Sequence, residues 1–261
     1  MNYIEEFYNS RDEDVRLLSR HGSIEYVTTM KYVRECLELA GGSKVLEIGA
    51  GTGQYSIKLA REGCAVTAVE LVPRNIEVLK SKLDGTEALD VYQGNALDLS
   101  FLKDGSFDVT LLLGPMYHLF TKKDKLMALS EALRVTKNGG YVLVAYCMNE
   151  PTIIQYCFMS GALGKVLESD LLTEDWHCKS EPSEIFELVR TEDIAELDEA
   201  VGAERIKLVA TDGAAHYLKE LIEEMDEATF KKWVEYHLAT CERQDLVGAS
   251  NHTLDILRKN K

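Results

Sequence analysis

The chain has no basic surface to offer a polyanion. Lys and Arg number 29 against 44 Asp and Glu in 261 residues, a formal net charge of −15. A field of that sign repels a phosphate backbone unless a local cationic patch offsets it, and the sequence contains no such patch, so nucleic acid is not an expected partner. No apolar run approaches the roughly 18 residues a membrane helix requires. The opening "MNYIEEFYNSRDED" is acidic, where a signal peptide is basic and then apolar. Together these absences lead to the expectation of a cytoplasmic protein with no membrane partner. Six cysteines (Cys36, Cys64, Cys147, Cys157, Cys178 and Cys241) include no C-x-x-C pair, and in a chain this large they read as reduced, mostly buried thiols. Cys147, Cys157 and Cys178 lie close to the irregular middle of the chain; binding a thiophilic metalloid substrate is the sharper reading of them, and a buried structural role is the preferred one. No group of His, Cys, Asp or Glu has metal-ligand spacing, so no metal is expected.

What is present is the material of a packed core: 46% hydrophobic and 28% charged residues, in a length that suits one large domain with insertions. From Ser43 to Cys147 apolar strands alternate with helical patterns. "KVLEIG" reads as a strand, "QYSIKLAREG" as a helix ending at Gly63, and "AVTAVE" as a second strand. "PRNIEVLKSKL" carries Pro73 at the first turn of a helix with Ile76, Leu79 and Leu83 on one face. "LDVYQGN", "FDVTLLLG" and "GYVLVAYC" are further strands, and Thr121 is placed to cap the helix before the last of them. This alternation predicts an α/β fold, a doubly wound Rossmann-like sheet of seven strands.

After Cys147 the pattern breaks. Residues 149–183 and 214–246 read as helical insertions that leave the core at the ends of consecutive strands and could form a lid; packing together as a plain helical subdomain is the equal alternative. "EIFELVR" and "TEDIAELDEA" read as a short strand and a helix capped by Thr191. "RIKLVATDG" and "HTLDILRK" read as a final antiparallel pair. The expected organisation is a single domain, 1–261. It has N-terminal helices over 1–42, a core over 43–147, the two insertions, and the remaining core elements over 184–213 and 247–261.

The turn after the first strand of such a sheet is where a ligand is expected. In "VLEIGAGTG" the glycines fall every second residue, with Gln54 following, which departs from the G-x-G-x-x-G spacing of dinucleotide binders. Gly49 and Gly51 let the backbone bend tightly and approach a ligand, and Gly53 opens the next helix. Glu70, at the end of the second strand, suits both hydroxyls of a ribose. Glu47 places negative charge beside the ligand, unfavourable near a pyrophosphate and favourable near an ammonium or sulfonium.

"VLEIGAGTGQYSIKLA" with "VTAVE", "GNALDLSF", "FDVTLLLGPMYHLF" and "EALRVTKNGGYVLVAY" together resemble, in order and over about residues 40 to 147, the class I S-adenosylmethionine-dependent methyltransferases. The resemblance implies S-adenosyl-L-methionine as cofactor and S-adenosyl-L-homocysteine as product. It implies Glu47 near the methionine amino group and Gly49, Ala50, Gly51 and Gly53 along its backbone. Glu70 would hold the ribose, Leu71 would lie against the adenine, and Asn95, Ala96 and Leu97 would surround the adenine edge. Leu113 would pass the methionine part, with Tyr117 and His118 beside the methyl group; His118 is the candidate base and Tyr117 a ring facing the sulfonium. Tyr26, on an N-terminal helix, is a further candidate cofactor contact. Nucleic-acid amino-methyltransferases carry (D/N)-P-P-(Y/F/W) where this chain has Gly114-Pro115-Met116-Tyr117, which again points away from a base as substrate. The acceptor implied is therefore a small molecule with an oxygen, nitrogen or sulfur nucleophile. A non-catalytic S-adenosylmethionine-binding sensor is the alternative, and an NAD-dependent dehydrogenase a more distant one.

Overall fold

The computed structural model describes residues 3–9, 17, 19–184 and 186–260. Two helices come first, α1 (Tyr3–Asn9) and α2 (Arg20–Ala40), the latter capped by the Ser19 hydroxyl, which accepts the Gly22 N–H, and closed by Gly41 in the left-handed region. The alternating core follows: β1 (Lys44–Ile48), α3 (Gln54–Arg61), β2 (Ala65–Glu70), α4 (Pro73–Ser81), β3 (Leu89–Gln93), β4 (Phe107–Leu112), α5 (Lys122–Val135) and β5 (Thr136–Met148). The remainder comprises α6 (Asn149–Thr152), α7 (Leu163–Glu168), β6 (Leu188–Val189), α8 (Thr191–Val201), β7 (Glu204–Ala210), α9 (Lys219–Glu224), α10 (Glu227–Thr240), α11 (Gln244–Val247) and β8 (His252–Arg258).

The strands form one sheet in the order β3-β2-β1-β4-β5-β8-β7, with β6 adding a two-residue parallel pairing at the end of β5. The first five strands are parallel, and β8 runs antiparallel between β5 and β7. This is the doubly wound sheet the alternation predicts, including the antiparallel pair at its edge. β1 is buried over four of its five residues and β4 over all six; helices cover both faces, so these strands read as continuous apolar runs. The order reverses between β1 and β4, which opens a crevice at their carboxyl ends.

Several local readings are refined. β5 begins five residues before "YVLVAYC": its register against β4 moves from Phe107–Thr136 to Val109–Tyr141, so residues 137–140 bulge out opposite Asp108. Gly140 belongs there because a Cβ would lie 2.7 Å from the Asp108 carbonyl oxygen. Thr121 caps α5 as expected, its hydroxyl accepting the Asp124 N–H. Thr191 is instead the first residue of α8, whose start is held by Asp193 Oδ2 accepting the Arg190 N–H at 2.7 Å.

The two insertions do not share a core. The first packs on itself through Ile153, Cys157 and Val166. The second packs through Ala215 and Ile222 onto Ile24 of α2, with Phe230, Trp233 and Val234 around them. It thereby braces the N-terminal helix against the sheet, and Arg20, on the first turn of α2, stacks over Phe230 and donates to the Met225 carbonyl. Among the described residues no helix is long and apolar enough to cross a membrane.

Candidate active site

At the crevice, β1 passes into the loop Gly49–Gly53. Gly49 (φ 81°) and Gly51 (φ 53°) hold backbone conformations that side-chain-bearing residues rarely adopt. A Cβ on Gly49 would sit 2.6 Å from Pro115 Cδ, whereas one on Gly51 would meet nothing within 4 Å. The first glycine therefore lets the segment after β4 close onto the loop, and the second leaves space above it. Glu70 ties the loop to the second strand: its Oε2 accepts the Gly51 N–H at 2.7 Å and its Oε1 accepts the Val72 N–H at 2.9 Å. Oε1 also accepts from the Asn75 amide at 3.3 Å, and Oε2 keeps a further lone pair.

Glu47, Gly49, Ala50, Gly51, Glu70, Leu71, Asn95, Ala96, Leu97 and Leu113 all line one cavity, together with Tyr117 and His118. The Asn95 side-chain oxygen accepts the Leu97 N–H at 3.0 Å, which shapes the turn after β3 and still leaves that oxygen able to accept once more. Glu47 is 1% exposed, and the Ser56 hydroxyl donates to it. Burial pushes its carboxyl up to about 8, and the nearby Glu70 charge adds to the effect.

Two sequence-predicted contacts fall elsewhere. Tyr26 is not among the cavity-lining residues; it stacks on Tyr55 with ring centroids 5.2 Å apart. One helical residue is a rotation of about 100°, so Glu25 and Thr29, four apart, take the cavity face of α2 and Tyr26 turns toward α3. Gly53 is likewise not in the lining. A Cβ there would lie 2.6 Å from Leu79 Cγ, so this glycine serves the close packing of α3 on α4.

A second cavity of about 580 Å³ adjoins the first, walled by the first insertion (Ile153, Tyr156, Cys157, Val166, Leu171, Leu172) and by Phe186 and Leu188. Its size is that of a small-molecule site. Tyr8, Tyr117 and His252 line both cavities. His118, which lines the first cavity, has its Nε2 2.8 Å from the Tyr8 hydroxyl. Cys147, Cys157 and Cys178 all reach this cavity, and burial raises the Cys157 thiol and pushes that of Cys178 up to about 11, which keeps them protonated.

The junction also holds residues that sequence spacing does not reveal. Asp212, fully buried, follows β7, and its Oδ2 lies 2.7 Å from His252 Nδ1 and 3.3 Å from His216 Nε2. Glu25 Oε2 is 3.6 Å from the same His252 nitrogen. Burial alone would raise the Asp212 carboxyl, but His252 and His216 beside it, with the Ser250 hydroxyl, hold it down to about 2. Asp212 and His216 stand four residues apart, a signal the sequence does carry. His252 joins them because β8 pairs with β7, and just past the end of β7 the Thr211 N–H donates to the His252 carbonyl at 3.0 Å.

The sheet, its strand order, the glycine loop and an acid at the end of each of the first two strands define a methyltransferase of the α/β type. Comparison with known proteins agrees: residues 46–144 match the family model described as "Methyltransferase domain". The chain is 28% identical over 190 residues to a demethylmenaquinone methyltransferase of Staphylococcus haemolyticus, covering 68% of this chain and 75% of that one. It is 26% identical over 184 residues to a ubiquinone biosynthesis O-methyltransferase of Methylocella silvestris, covering 70% and 69%. Among solved structures, a Thermotoga maritima S-adenosylmethionine-dependent methyltransferase described as a possible histamine N-methyltransferase superposes with a TM-score of 0.60 at 22% identity, covering 99% of each chain. The magnesium protoporphyrin IX methyltransferase of Synechocystis, with S-adenosylhomocysteine bound, superposes with a TM-score of 0.56 at 10% identity, covering 95% of this chain and 86% of that one. These findings support a class I S-adenosylmethionine-dependent methyltransferase, an enzyme whose cofactor is S-adenosylmethionine.

Proposed function

We propose that this enzyme methylates an oxygen, nitrogen or sulfur nucleophile on a small molecule with an apolar body. The observation that carries this reading is the junction of the two cavities at Tyr8, Tyr117 and His252. The first cavity has the loop and acids suited to the cofactor, and the second is mostly apolar and open to a separate ligand. The quinone-related names of the two curated relatives accord with such an acceptor. In this reading residues 1–261 act as one domain, and the insertions 149–183 and 214–246 wall the acceptor site as a lid.

Bound S-adenosylmethionine supplies an electrophilic methyl group on a sulfonium. Glu47 faces its ammonium, Glu70 accepts from the ribose hydroxyls, Leu71 and the segment Asn95–Leu97 enclose the adenine, and Leu113 flanks the methionine part. Tyr117 turns its ring to the sulfonium, an attraction of about 0.5–2 kcal/mol. The acceptor's lone pair forms the new bond to the methyl carbon while the carbon–sulfur pair returns to sulfur. The acceptor's proton passes to His118 through the Tyr8 hydroxyl, 2.8 Å from its Nε2. Holding the partners in line supplies most of the acceleration, and the base adds to it.

His118→Ala should lower turnover about 100-fold, the scale of general-base assistance, with a smaller change in cofactor affinity. Equal turnover in a saturating acceptor assay would remove His118 from the reaction. Glu47 gives the cofactor site a pH dependence. An ammonium selects the ionised carboxylate, so below about pH 8 binding must release the proton that burial retains. Affinity for S-adenosylmethionine should therefore rise about tenfold per pH unit between pH 6 and 7 and flatten near 8, and Glu47→Gln should abolish the slope in calorimetric titrations. In the ligand-free protein the same raised carboxyl contributes stability that is complete below the ordinary value of 4.5 and lost as pH rises toward 8.

The test of the reaction is production of S-adenosylhomocysteine on incubation with S-adenosylmethionine and a panel of apolar ring compounds carrying hydroxyl, amine or thiol groups. Acceptor-dependent product supports the reading. Cofactor binding with no turnover across the panel would instead favour the non-catalytic sensor.

A further inference from the structure

We propose that Asp212, His216 and His252 form a binding site for one divalent first-row transition-metal ion, with an open position facing the acceptor cavity that takes an oxygen of the methyl acceptor. The inference deepens the proposed function and rests on it only for the identity of that last ligand; the ion site itself stands on the residues below.

The donor atoms of the three side chains all lie within 4.8 Å of one another. His216 Nε2 and His252 Nδ1 stand 3.3 Å and 2.7 Å from one oxygen, Asp212 Oδ2. Ligands bound at 2.0–2.1 Å in a tetrahedral site are about 3.3 Å apart, so small side-chain shifts would seat an ion. A hydrogen-bonded Asp212–His252 pair would account for two of these residues. A charged His252 ring also accounts for Glu25 Oε2 at 3.6 Å from its Nδ1, but not for His216 turning to the same Asp212 oxygen. Convergence of two imidazoles and two carboxylates on one point is what a cation would organise.

The surroundings are also those of a metal site. The other Asp212 oxygen, Oδ1, accepts from the Ser250 hydroxyl at 2.6 Å and from the His252 N–H at 3.2 Å, which aims Oδ2 at the imidazoles. Such outer contacts commonly orient metal-binding carboxylates. His21 packs edge-on to the His216 ring at 5.5 Å and is itself held by Glu223. Two carboxylates balance a dication once the His252 ring gives up its proton as the ion binds, and a chain of net charge −15 concentrates cations around it. Imidazole nitrogens beside a carboxylate suit zinc, iron or cobalt rather than magnesium or calcium.

Three protein ligands with a fourth position toward substrate is the arrangement of a catalytic rather than a structural ion. His216 and His252 line the acceptor cavity, and Glu25 and His252 line the cofactor cavity. Placed there, the ion would lower the pKa of an acceptor hydroxyl as a Lewis acid. The proton leaves through the Tyr8 hydroxyl to His118, as in the proposed function, and the oxygen's electron pair forms the new bond to the methyl carbon as the carbon–sulfur bond breaks toward sulfur. The site thus narrows the acceptor from oxygen, nitrogen or sulfur to a hydroxyl compound.

The experiment is calorimetric titration of the chelator-treated protein with zinc, cobalt and magnesium chlorides, with S-adenosylmethionine titrated into the same samples. The proposal expects one zinc or cobalt ion per chain, no magnesium binding, and a visible cobalt spectrum with nitrogen and oxygen ligands. His216→Ala, at a partly exposed side chain, should weaken zinc by at least about 100-fold, and Asp212→Asn should do the same if it folds. Absence of zinc binding, or equal affinity in His216→Ala, overturns the metal site. Because S-adenosylmethionine binding is read separately, such a failure is distinct from a failure of the methyltransferase reading.

Discussion

Replacing Glu70 with Ala lowers affinity for S-adenosylmethionine roughly 100-fold, equivalent to about 3 kcal/mol. The expectation follows from two roles met in one side chain. Glu70 is 5% exposed and lines the cofactor cavity. Its Oε2 keeps a lone pair for one ribose hydroxyl, the Asn75 amide at 3.3 Å on Oε1 can give way to the other, and hydrogen bonds to a charged group contribute about 1.5–3 kcal/mol each. It also fixes the glycine loop by accepting the Gly51 N–H and the Val72 N–H, so the variant loses preorganisation along with direct contact. Glu70→Gln keeps one oxygen acceptor and should recover part of the loss. Calorimetric titration of both variants is the readout, and an Ala variant with unchanged affinity would mean that the ribose is held elsewhere.

The second large effect concerns stability and lies far from the cofactor. Arg205 on β7 reaches between two acids, with its Nη2 2.5 Å from Asp198 Oδ2 on α8 and its Nε 3.0 Å from Asp255 Oδ1 on β8. Asp255 is fully buried and Asp198 nearly so. Burial raises both carboxyls, and the two acids share protons with each other. Arg205→Ala removes the cation that makes their ionisation tolerable and should destabilise the protein by about 3 kcal/mol at neutral pH. The sign with pH is fixed by the same argument. Raised carboxyls contribute stability below the ordinary carboxylate range and lose it as pH rises, and removing Arg205 raises them further. The loss should therefore be largest near pH 8 and shrink toward pH 3, below the ordinary Asp value of 3.8, where both acids are mostly protonated in the folded and unfolded states alike. Urea unfolding at the two pH values checks this; a pH-independent loss would mean that Arg205 acts through packing alone.

Legibility in the sequence follows locality. The sheet could be read because β1, β2, β4 and β5 are contiguous apolar runs separated by helices with identifiable starts such as Pro73 and Thr121. The glycine loop and Glu70 could be read for the same reason, since their roles are set by strand ends within one βαβ unit. Helical register alone does not say which stripe of α2 faces the cavity; the second insertion packs on Ile24 and fixes that rotation from outside the helix, turning Tyr26 to Tyr55. Gly53 shows that one glycine motif can divide its work, Gly51 leaving space above the loop while Gly53 admits Leu79. The Asp212–His216–His252 cluster was hidden because strand pairing, not sequence spacing, brings His252 to Asp212. The acceptor cavity depends on residues from α1, the first insertion and β8, and no periodicity predicts how such distant segments meet.

The account's central claim is that the crevice beside "VLEIGAGTG" binds S-adenosylmethionine through Glu47 and Glu70. Calorimetric titration of the purified protein with S-adenosylmethionine, S-adenosylhomocysteine and NADH in parallel tests it most directly. The account predicts one binding event per chain for each of the first two and none for NADH, with the S-adenosylmethionine affinity increasing from pH 6 toward 8. Binding of NADH alone, or silence from all three, would contradict it.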